Sequence, residues 1–312
     1  MIEVRDLTKS YGLNKAIDSL NFTVSKGEVV GFLGPNGAGK STTMKIITGF
    51  MAPTSGQASI AGFDVFESPL EVKKRIGYLP ENPPVYGDML VKDYLKFVAE
   101  LKGVDKNQIQ KNVEMALEKT NLGSVSKRLI QNLSKGFRQR VGIAQALVSD
   151  PEVLILDEPT VGLDPKQVAE IRDLIKELRG QHTIILSTHI LPEVQATCER
   201  IIIIHRGHIV AQDSLSNLSN LQQGVRKIQL KVRNHRVDLL QTLQGLQGVK
   251  KISAGSTPMD LVIETTESEE IIEAVANLVI KSGAGLLEIS SAKADLEDIF
   301  LKLTYGSTEA NV

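Results

Sequence analysis

The sequence predicts an α/β domain on a largely parallel sheet, carrying a helical insert, followed by a small α+β domain of ferredoxin-like type. Three observations carry that reading. Over residues 1–215, short apolar runs alternate with stretches of helical periodicity. Within them GPNGAGKST, Gly34 to Thr42, stands between the strand-like VVGFL and the helix-like STTMKIITG. From about residue 226 the pattern becomes β-α-β-β-α-β.

In chain order, Glu28 to Leu33 is the first clear strand, and the helix behind the glycine-rich loop should stop at Gly49. Val91, Tyr94, Leu95, Val98 and Leu101 recur at helical spacing, and a second amphipathic stretch covers about residues 107–119, which together make the insert. Leu133 to Leu147 reads as a helix opened by Ser134 as a cap, with Val141, Ala144 and Leu147 on one side. Strands are expected at Val153 to Leu156, Thr183 to Ser187 and Ile201 to His205. His205 and His208 flank Arg206-Gly207, which reads as a solvent-facing hairpin turn rather than a metal site. The polar segment Asp213 to Gly224 then separates a domain at 1–215 from one at 225–305. The second has strands at 226–233, 249–254, 260–265 and 286–290, helices at 237–245 and 267–281, and a last helix from Asp295 to Leu303.

Composition narrows the function classes. The 312 residues suit about two domains at roughly 150 residues each, so a disulfide mini-scaffold is excluded. Lys plus Arg number 36 against 37 Asp plus Glu, and the second domain carries 10 against 12, so neither the chain nor its tail has the basic balance of a nucleic-acid binder. The single cysteine, Cys198, cannot make an internal disulfide and reads as a packing residue. MIEVRDLTKSYG lacks the pattern of an export signal, which predicts a cytoplasmic protein. Apolar runs fall far short of the ~20 residues that cross a bilayer, so any membrane involved is spanned by another chain.

The chemistry concentrates in two motifs. Gly34, Asn36, Gly37 and Gly39 belong to a P-loop, whose backbone N–H groups wrap phosphates while the following helix presents its positive end. Lys40 supplies a cation to the β- and γ-phosphates, Ser41 a hydroxyl for Mg²⁺, and Thr42 closes the motif. VLILDEP, Val153 to Pro159, delivers two carboxylates to the end of a buried strand. An isolated acidic pair there is commonly a cap or a turn. Beside a P-loop, Asp157 fits the outer shell of Mg²⁺ and Glu158 a base that polarises the attacking water.

With the helix LSKGFRQRVGIAQAL between these motifs, residues 1–215 resemble the ATP-binding subunit of an ABC transporter. The resemblance implies roles at matching positions. Tyr11 in KSYG resembles the aromatic residue that stacks on adenine. Ser134 and Gly136 match the signature that grips the γ-phosphate of ATP held by a second subunit. Asp164 in GLDP resembles the D-loop aspartate, and His189 in LSTHIL the switch histidine at the γ-phosphate. It further implies a homodimer that sandwiches two ATP molecules with Mg²⁺, docks on separate transmembrane permease subunits at the inner face of the membrane, and has no nucleic-acid partner.

Two departures stand out. The signature is LSKGF, with Lys135 and Phe137 where LSGGQ is commoner, although Ser134 and Gly136 are kept. Glu81, in IGYLPENPPVYGDML, occupies the position of the usual Q-loop glutamine, where a carboxylate can ligate Mg²⁺ but repels the triphosphate. These forms and the C-terminal extension resemble the exporter subfamily that includes drug, gliding-motility and copper-maturation ATPases. An importer ATPase and a soluble ABC ATPase acting on ribosome or DNA are the alternatives. The C-terminal domain has no catalytic set and reads as an accessory or regulatory module.

Overall fold

The computed structural model describes all residues except 221–225, 235–236, 255–256, 258, 266–269, 293–295 and 305–312. It separates into two compact units, Met1–Ser214 and Leu215–Val312.

The first unit opens with an antiparallel pair, β1 (Ile2–Tyr11) and β2 (Asn14–Val24). Then β3 (Val29–Leu33), buried along its whole length, leads through the glycine-rich loop into α1 (Lys40–Ile47). The chain continues through β4 (Ser55–Ile60), β5 (Phe63–Asp64), α2 (Pro69–Arg75) and β6 (Ile76–Leu79). Next come α3 (Val91–Leu101), α4 (Lys106–Lys119) and α5 (Lys135–Leu147), and then β7 (Val153–Asp157). The unit closes with α6 (Pro165–Leu178), β8 (Thr183–Thr188), α7 (Leu191–Thr197), β9 (Arg200–His205) and β10 (His208–Ser214).

The main sheet has the order β10-β9-β3-β8-β7-β6. All pairings are parallel except β10 with β9. Continuous apolar runs such as VLIL in β7 suit strands covered on both faces. A second, antiparallel sheet has the order β2-β1-β4-β5. Its Leu7, Ile17, Leu20 and Phe22 join Phe32, Ile155, Ile185 and Ile202 of the parallel sheet and Met44 of α1 in one core. This second sheet was not among the predicted elements. Register shifts break β1 and β2, and Asp6 and Ser19 have positive φ, so the alternation of period two that marks a half-buried strand is interrupted.

The insert has its own core, in which Val91, Tyr94, Leu95 and Val98 of α3 meet Ile109 and Val113 of α4 and Val141 and Ala144 of α5. The apolar stripes expected from helical spacing are the faces that pack. Arg206 and Gly207 both adopt positive φ between the paired His205 and His208, the geometry of a two-residue hairpin turn. Among the described residues no helix is long and apolar enough to cross a membrane.

The second unit begins within the segment expected to be a polar linker. Asp213 and Ser214 end β10, residues 215–220 form α8 (Leu215–Asn220) with Leu218 buried, and residues 221–224 lie outside the described residues. Leucines at 215 and 218 provide the apolar side that a purely polar reading overlooks. Beyond it lie β11 (Arg226–Val232), α9 (Val237–Gln244), β12 (Val249–Ala254) and β13 (Asp260–Thr265), then α10 (Glu270–Lys281), β14 (Leu286–Ala292) and α11 (Leu296–Thr304). The expected helix starts at 267–269 and at Asp295 lie outside the described residues. Every pairing in the order β12-β13-β11-β14 is antiparallel, which is the ferredoxin-like arrangement of a βαββαβ chain. Ile228, Leu230 and Val232, alternate residues of β11, pack with Leu239 and Leu243 of α9 and Val275 and Val279 of α10.

Candidate active site

The parallel strands β3, β7 and β8 end at one edge of the sheet, and each hands its next residues to the same cavity. That cavity, of about 420 Å³, is lined by Asn36, Gly37, Gly39, Lys40, Ser41 and Thr42 from the glycine-rich loop. Glu158 follows β7, His189 follows β8, Glu81 follows β6, and Ala16 and Val161 complete the wall.

Gly39 caps α1 with φ of 109°, and a Cβ there would lie 2.7 Å from the Ala16 carbonyl oxygen. Only glycine allows the helix start to press so closely on β2. The unpaired N–H groups of the first turn and the positive end of α1 then face the cavity, the arrangement that favours phosphate. Lys40 is buried, and its Nζ donates to the carbonyls of Gly34 at 2.9 Å and Pro35 at 3.3 Å. It also lies 3.4 Å from Glu158 Oε1. The loop is thereby folded around its own cation.

Glu158 adopts φ of 50°, a left-handed turn uncommon for a residue with a Cβ, while its N–H donates to the Ser187 carbonyl at 2.8 Å. Its carboxylate meets His189 Nδ1 at 3.0 and 3.1 Å. A base and an imidazole therefore converge beside the lysine.

Asp157 is buried at the end of β7, and its Oδ1 has no hydrogen-bond partner among the described residues. Burial, with the carboxylates of Glu158 and Glu81 nearby, pushes its carboxyl above the usual carboxylate range. Tyr78, on the neighbouring β6, is pushed up to about 12 by burial and by Asp157, so it stays neutral. An orphaned, desolvated carboxylate oxygen calls for a cation. With the Ser41 hydroxyl and the exposed Glu81 carboxylate on the cavity wall, it forms the sparse set of hard oxygen donors that suits Mg²⁺, whose remaining ligands are phosphate and water. Mg²⁺ fits this site.

The other predicted residues stand apart from the cavity lining. Tyr11 ends β1 with its ring half exposed, its hydroxyl 2.9 Å from Met51 Sδ and Lys9 Nζ 5.5 Å from the ring centre. It pairs with Asn14, two residues before cavity-lining Ala16. Ser134 caps α5, its Oγ accepting from Phe137 N at 3.3 Å, and Asp164 caps α6, accepting from Gln167 N at 2.9 Å. A Cβ on Gly136 would collide with the Gln167 side chain, and one on Gly162 with the Lys135 ammonium. The signature residues and Asp164 thus form a second cluster, the start of α5 packed on the start of α6. Three buried residues went unnoticed in the sequence. Thr160 lies just past VLILDEP and Thr188 just before His189 within LSTHIL, and both donate to Glu193 of α7. Glu193 follows Thr188 by five positions, and only the fold brings it to Thr160.

The sequence pattern of the ABC transporter family matches residues 17–161. A bacitracin transport ATP-binding protein of Bacillus licheniformis is 34% identical over 310 residues, covering 99% of this chain and 98% of the relative. A lantibiotic transport ATP-binding protein of Streptococcus pyogenes is 38% identical over 224 residues, 72% of this chain and 95% of its own. Among solved structures, a dimeric post-hydrolysis ATP-binding cassette bound to ADP and Pi superimposes with a TM-score of 0.63 at 26% identity, covering 69% of this chain and 99% of that one.

Proposed function

Since the chain belongs to the ABC transporter ATP-binding family and is an ATPase, we propose that it powers a membrane exporter as a homodimer that closes on two Mg-ATP molecules while docked on separate permease subunits. One observation carries the reading: the cavity gathers Lys40, Ser41, Glu158 and His189, whereas Ser134, Gly136 and Asp164 lie outside its wall. A second copy, turned head to tail, would bring that outlying cluster to the open side of the bound nucleotide.

In this reading the triphosphate lies along the glycine-rich loop, where Lys40 exchanges its Glu158 contact for the β- and γ-phosphates. Ser41, Asp157 and Glu81 would hold Mg²⁺, which neutralises phosphate charge when bound. Glu158 takes a proton from the attacking water, the new P–O bond forms at the γ-phosphorus, and the bond to the β-phosphate oxygen breaks to leave ADP and phosphate. His189 steadies Glu158 and the charge developing on the γ-phosphoryl oxygens. Tyr11 stacks on adenine. Loss of the γ-phosphate reopens the dimer.

Docking on a permease is supported by an apolar groove of about 510 Å³ between α2 and the helical insert, lined by Pro84, Tyr86, Tyr94, Phe97, Leu70 and Leu101 among others. Leu70 and Leu101 are largely exposed, Lys73, Lys74 and Lys102 ring the groove, and Pro84 lies three residues from Glu81. An amphipathic cytoplasmic helix of the permease with acidic flanks fits that surface, and the segment from Glu81 to Tyr86 links it to the nucleotide. The export direction rests on the resemblance of the Glu81 and LSKGF segments to the exporter subfamily, the relatives being named for bacitracin and lantibiotic transport, and we assign the cytoplasmic side of the membrane as its place. The second unit, Leu215–Val312, acts as an accessory module.

Fractionation of the producing cells tests the docking. The wild-type chain should sediment with membranes and co-purify with a polytopic membrane protein, and the Leu70→Glu, Leu101→Glu double variant should stay in the supernatant with its ATPase activity intact. Equal sedimentation of both would contradict docking at this groove.

A further inference from the structure

Beneath the cavity, Glu193 joins the two loops that carry Glu158 and His189. It is 2% exposed, and its two oxygens are divided between two donors: Oε1 accepts from Thr160 Oγ1, and Oε2 from Thr188 Oγ1 at 2.9 Å. Thr188 Oγ1 also accepts from Ile190 N at 3.1 Å. On the helix side, Thr197 Oγ1 donates to the Glu193 carbonyl at 2.7 Å. Thr160 lies two residues beyond Glu158, while Thr188 and Ile190 flank His189.

A buried carboxylate is costly unless its oxygens are hydrogen-bonded, so letting go of either hydroxyl strands charge in the interior. Glu193 therefore ties the two loops to each other. Their catalytic side chains meet at 3.0 to 3.1 Å, a contact that a displacement of either loop would open.

From this geometry we infer that Glu193 is a positioning residue for ATP hydrolysis, which sets the register of Glu158 against His189 without touching the nucleotide. The inference rests on the reading that these two side chains act at the γ-phosphate. It predicts a selective defect. Glu193→Ala should lower kcat by about 10–100-fold, the scale of a small misplacement of reacting groups, with KM for ATP within about threefold of wild type. Glu193→Gln should recover most of the loss, because its amide oxygen still accepts from Thr188 and its NH₂ can donate to the Thr160 hydroxyl.

The deciding experiment is a double-mutant cycle on the full chain with Mg-ATP, comparing wild type, Glu193→Ala, His189→Ala and the double variant. If Glu193 acts through the histidine, its replacement in the His189→Ala background should cost less than about threefold in kcat. Effects that multiply, or an equal rise in KM, would overturn the inference and leave Glu193 as a packing residue. A His189→Ala variant with wild-type kcat would instead overturn the reading of the site itself. Should Glu193→Ala fail to fold by circular dichroism, Thr188→Val, which removes one donor and keeps the volume, enters the same cycle with the same expectation.

Discussion

Replacing Glu158 by glutamine separates its chemical part from its structural one. The substitution keeps shape and removes one negative charge from a site where Glu158 Oε1 lies 3.4 Å from Lys40 and both side chains are more than nine-tenths buried. At that separation the charges attract by about 5 kcal/mol at an effective dielectric of 20, before the cost of burying them is counted. The net value is smaller. Without the carboxylate, Lys40 has no anion to leave when phosphate arrives, and the γ-phosphate faces one negative charge fewer. ATP affinity should therefore stay the same or tighten, by up to about tenfold. Turnover should move the opposite way. General-base assistance contributes about 10²–10⁴-fold, so the barrier should rise by about 3–5 kcal/mol. The assay pairs phosphate release with equilibrium binding of a fluorescent ATP analogue. Turnover within tenfold of wild type would refute the assignment of Glu158 as base, and a Kd weakened more than tenfold would show that its contact with Lys40 instead builds the phosphate site.

Two further predictions concern the metal donors. Asp157 has its pKa raised by burial, so the folded chain is penalised by this group as pH rises from the unfolded carboxylate pKa through the folded one and at all higher pH. Asp157→Asn should raise the melting temperature of the nucleotide-free chain at pH 7 while lowering turnover at least about 100-fold and abolishing the gain in stability with Mg-ATP, all readable by thermal melts and phosphate release; an unchanged Mg-ATP response would exclude Asp157 from the metal site. Glu81→Gln should retain hydrolysis within about tenfold and make ATP binding less dependent on Mg²⁺, because it removes a carboxylate facing the triphosphate and also unloads Asp157. Superimposable titrations of ATP affinity against Mg²⁺ for wild type and variant would place Glu81 outside the metal's reach.

How much could be read beforehand depended on whether a contact was encoded in neighbouring residues or made by the fold. GPNGAGKST between a strand and a helix is local: glycine spacing, the helix start and Lys40 are all set within nine residues, and they stand together in the cavity. The strands of the parallel sheet are legible because burial on both faces makes them continuous apolar runs, as in β7. The antiparallel sheet was hidden by the register shifts in β1. α8 was hidden because a six-residue helix with one buried leucine resembles a polar linker. Glu193 stands only five positions beyond Thr188, but its second partner, Thr160, is 33 positions earlier and reaches it only when β7, β8 and α7 have packed. The same holds for the contact of Gly136 with the Gln167 side chain, 31 positions further along the chain.

The claim that ATP is the link between two copies is tested most directly by light scattering on size-exclusion-purified Glu158→Gln, with and without Mg-ATP. The chain should run at 34.0 kDa without nucleotide and at twice that mass with Mg-ATP, and adding Ser134→Arg, which places a bulky cation on the outlying cluster, should return it to the monomer. A Glu158→Gln chain that binds ATP yet keeps the monomer mass at every protein concentration tested would contradict the account.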